Sequence, residues 1–420
     1  MRRQLLCGRL FPALLLGAIF APSSSNADSA EQLLEASGVK GGLVVLLGCG
    51  DGQQTAELRR SDAFLVQGLD VDAADVQAAR RHLLASGQYG PISVDHFDGQ
   101  HLPYADNLVN TILSSGPTDV PVDEIMRALV PGGVALIDGR KLVKPWPDSI
   151  DQWSHHLHGP DNNPVAKDTQ VDSPRRLKWV CEPLWTRSHE FLSSMTAMVS
   201  ADGRIYYIFD EGLTSVTDAP IPERWTLIAR DAFNGVLLWK RPLEEWDGRT
   251  WGAKALRSTP RSIPYRLVAG DDRLFMTLGY LAPVSAIDAA TGKILATFDG
   301  TSTAQEMRYL DGVLVVRTAA NELVAIDTTT GKQLWKIDAK VSPQMFAAQK
   351  DRVYCLHGKT LSCLQLRSGK TIWQADEEPA AAQLVVCEDT LLIAGRGGIK
   401  AIDANTGNIC WEAQGQVARS

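Results

Sequence analysis

Three stretches of this 420-residue chain hold side chains of the kinds that do chemistry. The first is LVVLLGCGDG at residues 43–52, an apolar strand-forming run that ends in Gly48-Cys49-Gly50-Asp51-Gly52. A strand that runs into a glycine-rich turn lets backbone N–H groups approach a nucleotide-like cofactor. Eighteen residues beyond Gly52 another apolar run ends at Asp70, in GLDVD, where a carboxylate can take two ribose hydroxyls. A third run ends at Asp98-Gly99. The second stretch is Trp153-Ser154-His155-His156-Leu157-His158-Gly159-Pro160-Asp161-Asn162-Asn163. Here His155 and His158, with Asp151 and Asp161 nearby, can bind a transition metal. Equally, this is a polar linker whose histidines and asparagines satisfy turn backbone. The third is EEWDGRTWGAKALRSTPRSIPYR at 244–266. Trp246 and Trp251 are two aromatic platforms, and Arg249, Arg257 and Arg261 are bidentate donors. They suit a carbohydrate, carboxylate or protein surface, or the loop folds against its own domain.

The elements that position the first stretch alternate between strand and helix over residues 40–138. LVVLL precedes a helix at Gln53–Arg60, FLVQGLD a helix at Ala73–Ser86, and ISVDHFD and LVNTIL a helix near Asp123–Leu129 that leads into GVALID. This is the pattern of a doubly wound, Rossmann-like α/β sheet. With EIMRALVPGG at 124–133, these motifs resemble the class I S-adenosylmethionine-dependent methyltransferases over roughly 110 residues. The resemblance implies S-adenosylmethionine as cofactor. The backbone at Gly48, Gly50 and Gly52 would approach its methionine portion, Asp51 between them is a further cofactor-binding candidate, and Asp70 would hold the ribose. Leu69 and Val71 would flank the adenine, and Asp98, followed by Gly99, would accept from its amino group. Three departures stand out: Leu46 lies two residues before the first glycine and Asn110 opens the fourth strand, both where the family usually has an acid. In addition, the last two strands of the family's sheet are not visible after Asp138-Gly139. The wall that would align a methyl acceptor is therefore missing from this unit, and the C-terminal half is the candidate to supply it.

That half repeats. ARDAFNGVLLW (229–239), AIDAATGKILA (286–296), AIDTTTGKQLW (325–335), CLQLRSGKTIW (363–373) and AIDANTGNICW (401–411) align, with glycine spacings of 57, 39, 38 and 38. A period near 38 with several short β-rich runs fits a four-stranded propeller blade. Residues before the Asp form the third strand. The Asp and Thr side chains bond turn amides, Gly takes a positive φ, and the Trp four residues on wedges against the next blade. Gln365 replaces one Asp and Ala296 one Trp. The repeats resemble those of pyrroloquinoline-quinone (PQQ)-type β-propellers over roughly 177–420. That family includes quinoprotein alcohol dehydrogenases and a cofactor-free lipoprotein of outer-membrane assembly. Leu177-Lys178-Trp179-Val180 reads as an outer strand without inner partners. Five blades are visible where about eight are usual, so C-terminal blades are expected to be missing. The adjacent cysteine pair of the quinoprotein alcohol dehydrogenases does not occur, so PQQ is not expected as cofactor.

Net charge is −7, and residues 1–27 hold three arginines and no acid, so the remainder carries −10. Nucleic acid is not the expected partner. Met1-Arg2-Arg3, the apolar run Leu10–Ala21 and Ser25-Asn26-Ala27 form a cleavable export signal over 1–27. The run is too short to span a bilayer comfortably, so no membrane span is expected after cleavage. The compartment implied is the periplasm or an equivalent envelope space. Six cysteines remain without CxxC spacing, and a hairpin at HGKT pairs Cys355 with Ser362, which turns Cys355 and Cys363 to opposite faces. The organisation expected is a signal (1–27), a methyltransferase-like domain (28–145), a linker (146–176) and a propeller (177–420). Its functions would be S-adenosylmethionine binding with methyl transfer, and binding of an envelope protein, glycan or small molecule by the propeller. The alternatives are a non-enzymatic envelope scaffold and, more weakly, a quinone-dependent oxidoreductase.

Overall fold

The computed structural model describes residues 29–415 apart from 174, 183–193, 214–221, 249, 253–258, 339, 377–380 and 396; the expected export signal lies outside the described residues. No helix among the described residues is long and apolar enough to cross a membrane.

The N-terminal unit contains α1 (Ala30–Ser37), β1 (Gly42–Leu47), α2 (Gln53–Glu57), β2 (Phe64–Asp70) and α3 (Ala73–Ala85). Next come β3 (Ile92–His96), β4 (Val109–Ser114), α4 (Val122–Ala128), β5 (Leu129–Ile137) and β6 (Arg140–Val143). The sheet order is β3-β2-β1-β4-β5-β6, with the first five parallel. β1 is buried along its whole length because both its faces are covered. Val44 and Leu46 pack with Leu34, Ala79 and Leu83 on one side, and Val45 and Leu47 with Ile125 and Ala128 on the other. β6 is an antiparallel edge strand, where the sequence pattern shows no further strand after Asp138-Gly139. Asp138 and Gly139 both take positive φ, which makes the two-residue hairpin turn that Asp-Gly favours.

Five four-stranded antiparallel sheets follow. Their innermost strands are Met195–Ala201, Leu267–Gly270, Ala304–Leu310, Val341–Gln349 and Ala381–Cys387; the sheets are numbered blades 1 to 5 here. Each repeat turn is built as its residues dictate. Asp288, Asp327 and Asp403 accept from the backbone and hydroxyl of the Thr three residues on. Gln365 accepts from the Ser368 amide. The turn glycines sit at φ of 65–79°. Cys355 pairs with Ser362 as the hairpin register requires.

The wedge follows one rule. The Trp of a blade lies over the turn glycine of the next, and its indole N–H donates to the carbonyl three residues before that glycine. Trp239 takes Gly292 and Ala289, Trp335 takes Gly369 and Leu366, and Trp373 takes Gly407 and Ala404. A methyl group on Gly369 would fall 2.6 Å from the Trp335 ring, so any larger residue displaces the wedge. Where Ala296 replaces Trp, Phe298 comes nearest Gly331. Leu177–Val180 is not a strand, contrary to the sequence expectation, yet Trp179 serves blade 1 by the same rule, over Gly235 and on the Ala232 carbonyl. Trp411 of blade 5 is 50% exposed.

The segment between the two units is a strap across the inner strands. Trp153 pairs with Ser200, the Ser154 carbonyl accepts from Ala269 N–H, and His155 Nε2 accepts from Tyr309 N–H. The carbonyls of Pro160 and Asp161 accept from Ala348 and Val386. Each partner is the penultimate residue of its inner strand, so one segment satisfies the same edge amide in all five blades. Asn162 adds bonds to the Phe346 and Leu384 carbonyls and accepts from Arg308.

Candidate functional site

The carboxyl ends of β1 and β2 bring together most of the residues singled out in the first stretch. Asp70 is 7% exposed; one oxygen accepts from Gly50 N–H at 3.1 Å and the other from Asp72 N–H at 3.1 Å. The strand-end carboxylate thus holds the loop after β1 and the start of α3 in one register. Gly50 has φ +50° and nothing within 4 Å of where a Cβ would stand, so its backbone faces open space. Gly48 and Gly52 are glycines for a different reason: a Cβ would meet Ser115 Oγ at 2.6 Å in the first and Ala79 of α3 at 2.9 Å in the second. Asp51 accepts from Gln53 N–H at the start of α2. Gly68, which the sequence reading did not single out, lets the loop lie on β2, since a Cβ there would come 2.6 Å from that of Cys49. Burial and the neighbouring Asp70 push the Cys49 thiol up to about 12, which keeps it neutral and unreactive.

Beside this loop Val71 is 58% exposed, an apolar side chain held at the surface, and its Cγ1 would touch a Cβ on Gly99 at 3.0 Å. Asp98 lies two residues beyond β3, and the backbone amides of His101 and Gln100, with the His101 ring, hold its carboxyl down to about 2. An exposed apolar side chain beside two carboxylates matches the chemistry of a nucleoside: apolar contact for the base, ribose acceptor, base-edge acceptor. S-adenosylmethionine fits these residues. The Gly50 backbone would admit it, Asp70 has lone pairs beyond its two backbone bonds for the ribose, and Val71 and Asp98 would meet the adenine.

The opposite end of the sheet is closed. Asn110 Oδ1 accepts from Leu43 N–H of β1 and from Asn234 of blade 1, and its Nδ2 donates to Asp231 at 2.6 Å. Asn234 also reaches the Leu108 carbonyl, Lys178 the Asn107 carbonyl, and Trp146 meets Phe233 edge-on. An acid at 110 would oppose Asp231, whereas the amide donates to it and accepts from two N–H groups. That explains the departure noted in the sequence. Burial pushes the Asp231 carboxyl up, against the pull of Asn110. A cavity of about 340 Å³ lies in this joint, lined by Lys40, Trp146, Asp202, Arg204 and Phe233 among others. Among the described residues, the propeller does not supply the acceptor wall expected of it. Blade 1 meets the amino ends of β1 and β4, about 17 Å of strand away from Gly50.

The remaining candidates are placed as follows. His155 is buried, its rings' nitrogens engaged by Tyr309 N–H and Ser154, and His158 is bonded to Asp151. Among the described residues, no group of three or more His, Cys, Asp or Glu is arranged to hold a metal. Trp246 and Trp251 are not surface platforms: both are buried, in edge-on contact with Tyr280 and each other, because the loop folds against blades 1 and 2. Arg261 is exposed, and Arg249 and Arg257 lie outside the described residues.

A methyltransferase-domain family matches residues 44–133, and a family described as outer membrane protein assembly factor BamB matches 223–358 and 357–419. The methyltransferase GfsG of Streptomyces halstedii is 34% identical over 116 residues, which cover 26% of this chain and 42% of that protein. The match thus spans less than half of that relative's length. The quinohemoprotein alcohol dehydrogenase ADHIIG from Pseudomonas putida HK5 is similar at 15% identity and a TM-score of 0.44, over 63% of this chain and 48% of its own. BamB from Moraxella catarrhalis is similar at 13% identity and a TM-score of 0.34, over 54% and 72%. The chain joins a methyltransferase-like α/β unit to a repeat domain of the PQQ/BamB type.

Proposed function

We propose that the α/β unit binds S-adenosylmethionine at the carboxyl edge of its sheet, in an exported protein whose repeat domain binds a further envelope component. The observation that carries this reading is the Gly50–Asp70 pair: an open glycine backbone locked to a strand-end carboxylate beside the exposed Val71. When bound, the cofactor would supply an electrophilic methyl group. Asp70 would orient its ribose and the open Gly50 backbone would admit its methionine portion. Methyl transfer needs an acceptor aligned in a dry pocket. Since the propeller lies at the other end of the sheet, the acceptor itself would complete that wall. Export is supported by the signal-like residues 1–27 and by the match to an assembly factor of the outer membrane.

A second reading, a non-enzymatic scaffold, is favoured by the joint and the strap, which make the α/β unit part of the repeat domain's own framework. Calorimetric titration of the chain from residue 28 with S-adenosylmethionine and S-adenosylhomocysteine separates the two. Micromolar binding, about −8 kcal/mol, lost in Asp70→Ala, supports the first. No heat up to millimolar ligand in a folded protein leaves the scaffold.

A further inference from the structure

The three histidines of the strap have different fates. His155 and His158 are tied to Tyr309, Ser154 and Asp151. His156, between them, has no hydrogen bond to either ring nitrogen among the described residues. It rests edge-on against Tyr265 at 4.7 Å. Its ring opens on a second cavity, of about 430 Å³, lined also by Trp153, Met195, Met198, Thr196 and Ile205.

The two thioethers line the same cavity as the imidazole because of a bulge. Alternation along a strand would send residues 195 and 198 to opposite faces. The innermost strand of blade 1, however, pairs Met195 with Phe209 and Ala197 with Ile208, which leaves Thr196 as an extra residue. The bulge restores parity, so Met195 and Met198 share the open face, 46% and 45% exposed, while Ala197 and Val199 are buried on the other. Trp153 is fixed above the same cavity by its indole N–H on the His156 carbonyl and by its backbone pairing with Ser200.

We infer that His156, Met195 and Met198 form a binding site for a soft monovalent cation, Cu(I) or its analogue Ag(I), with the Trp153 ring against the metal. Thioether sulfur selects soft cations, imidazole adds a borderline donor, and among the described residues no carboxylate lines the cavity to attract Zn(II), Mg(II) or Ca(II). An aromatic face beside a desolvated cation adds cation–π attraction. Methionine's three rotatable bonds let both sulfurs turn to a common centre. Burial and the nearby Arg308 lower the proton affinity of His156, which leaves its lone pair available at neutral pH.

The test must remove competing thiols. Cys387 and Cys410 are exposed and Cys181 is half-buried, whereas Cys49, Cys355 and Cys363 are buried with their thiols pushed well up. In a Cys181→Ser, Cys387→Ser, Cys410→Ser background, the protein is titrated with Ag(I), and with Cu(I) against a chromophoric Cu(I) chelator under reductant. One equivalent is expected to bind, with no competition from excess Zn(II). Affinity is expected to fall at least about tenfold in Met198→Leu and His156→Phe, and further in Met195→Leu with Met198→Leu. Met→Leu conserves volume and is expected to leave the far-ultraviolet circular dichroism unchanged. Absence of stoichiometric binding overturns the site. So does binding that the folded double Met→Leu variant retains in full, or displacement of Ag(I) by Zn(II).

Discussion

The two ends of the parallel sheet carry similar residue types and put them to opposite uses. At the carboxyl end, Asp70 grips backbone amides across a loop whose glycine faces open space. At the amino end, Asn110 and Asp231 grip each other across two units, and glycines 41 and 42 are glycines because Leu238 and Asn110 fill the space where a Cβ would stand. An open glycine marks room for a ligand, whereas a crowded one marks packing. The difference is visible only in what surrounds the missing methyl group.

The largest test of this contrast is Asn110→Asp. It removes the donor to Asp231 and buries two like charges, so unfolding in urea should show a loss of about 3 kcal/mol or more. A loss within error would mean that the joint does not couple the units. Asp70→Ala probes the other end. There, S-adenosylmethionine affinity should fall by about 1.5–3 kcal/mol, the worth of a charged hydrogen bond, with a smaller change in stability. Equal losses in Asp70→Ala stability and Asn110→Asp stability would erase the distinction.

The third test is pH. Asp231 has its folded carboxyl raised above the ordinary value near 3.9, so the folded state holds the proton longer. Its contribution is complete below that value and is lost as pH rises through the higher folded pKa, with a slope of at most about 1.4 kcal/mol per pH unit. Asp231→Asn should remove this dependence relative to the parent protein in urea unfolding across that acid range. An unchanged slope would place the titrating group elsewhere. Smallest is Gly50→Ala: with nothing near its Cβ it should cost about 1 kcal/mol for the positive φ, yet weaken cofactor binding by filling the open face. Undiminished binding would mean the ligand does not approach Gly50.

Residues close in sequence were the legible ones. The Asp-x-x-Thr-Gly turns, the buried β1, the ends of α3 and α4 and the Gly50–Asp70 constellation all follow from period, turn chemistry and spacing, because each is decided within a few residues or by one strand pairing. The edge strand β6 has only the Asp138-Gly139 turn as its local signal. Trp246 and Trp251 resembled surface platforms because composition does not say which way a loop folds.

By itself, then, the sequence determined the repeat, its wedge residues and a glycine-rich loop at a strand end. Only the tertiary structure decided where the two units meet, since Asn110 has its meaning only opposite Asp231, 121 residues away. It alone drew the strap across five inner strands, engaged His155 and His158 and left His156 facing a cavity. Those outcomes depend on which backbone amides the four-stranded sheets leave unpaired at their inner edges, and that is set by long-range packing rather than by neighbouring residues.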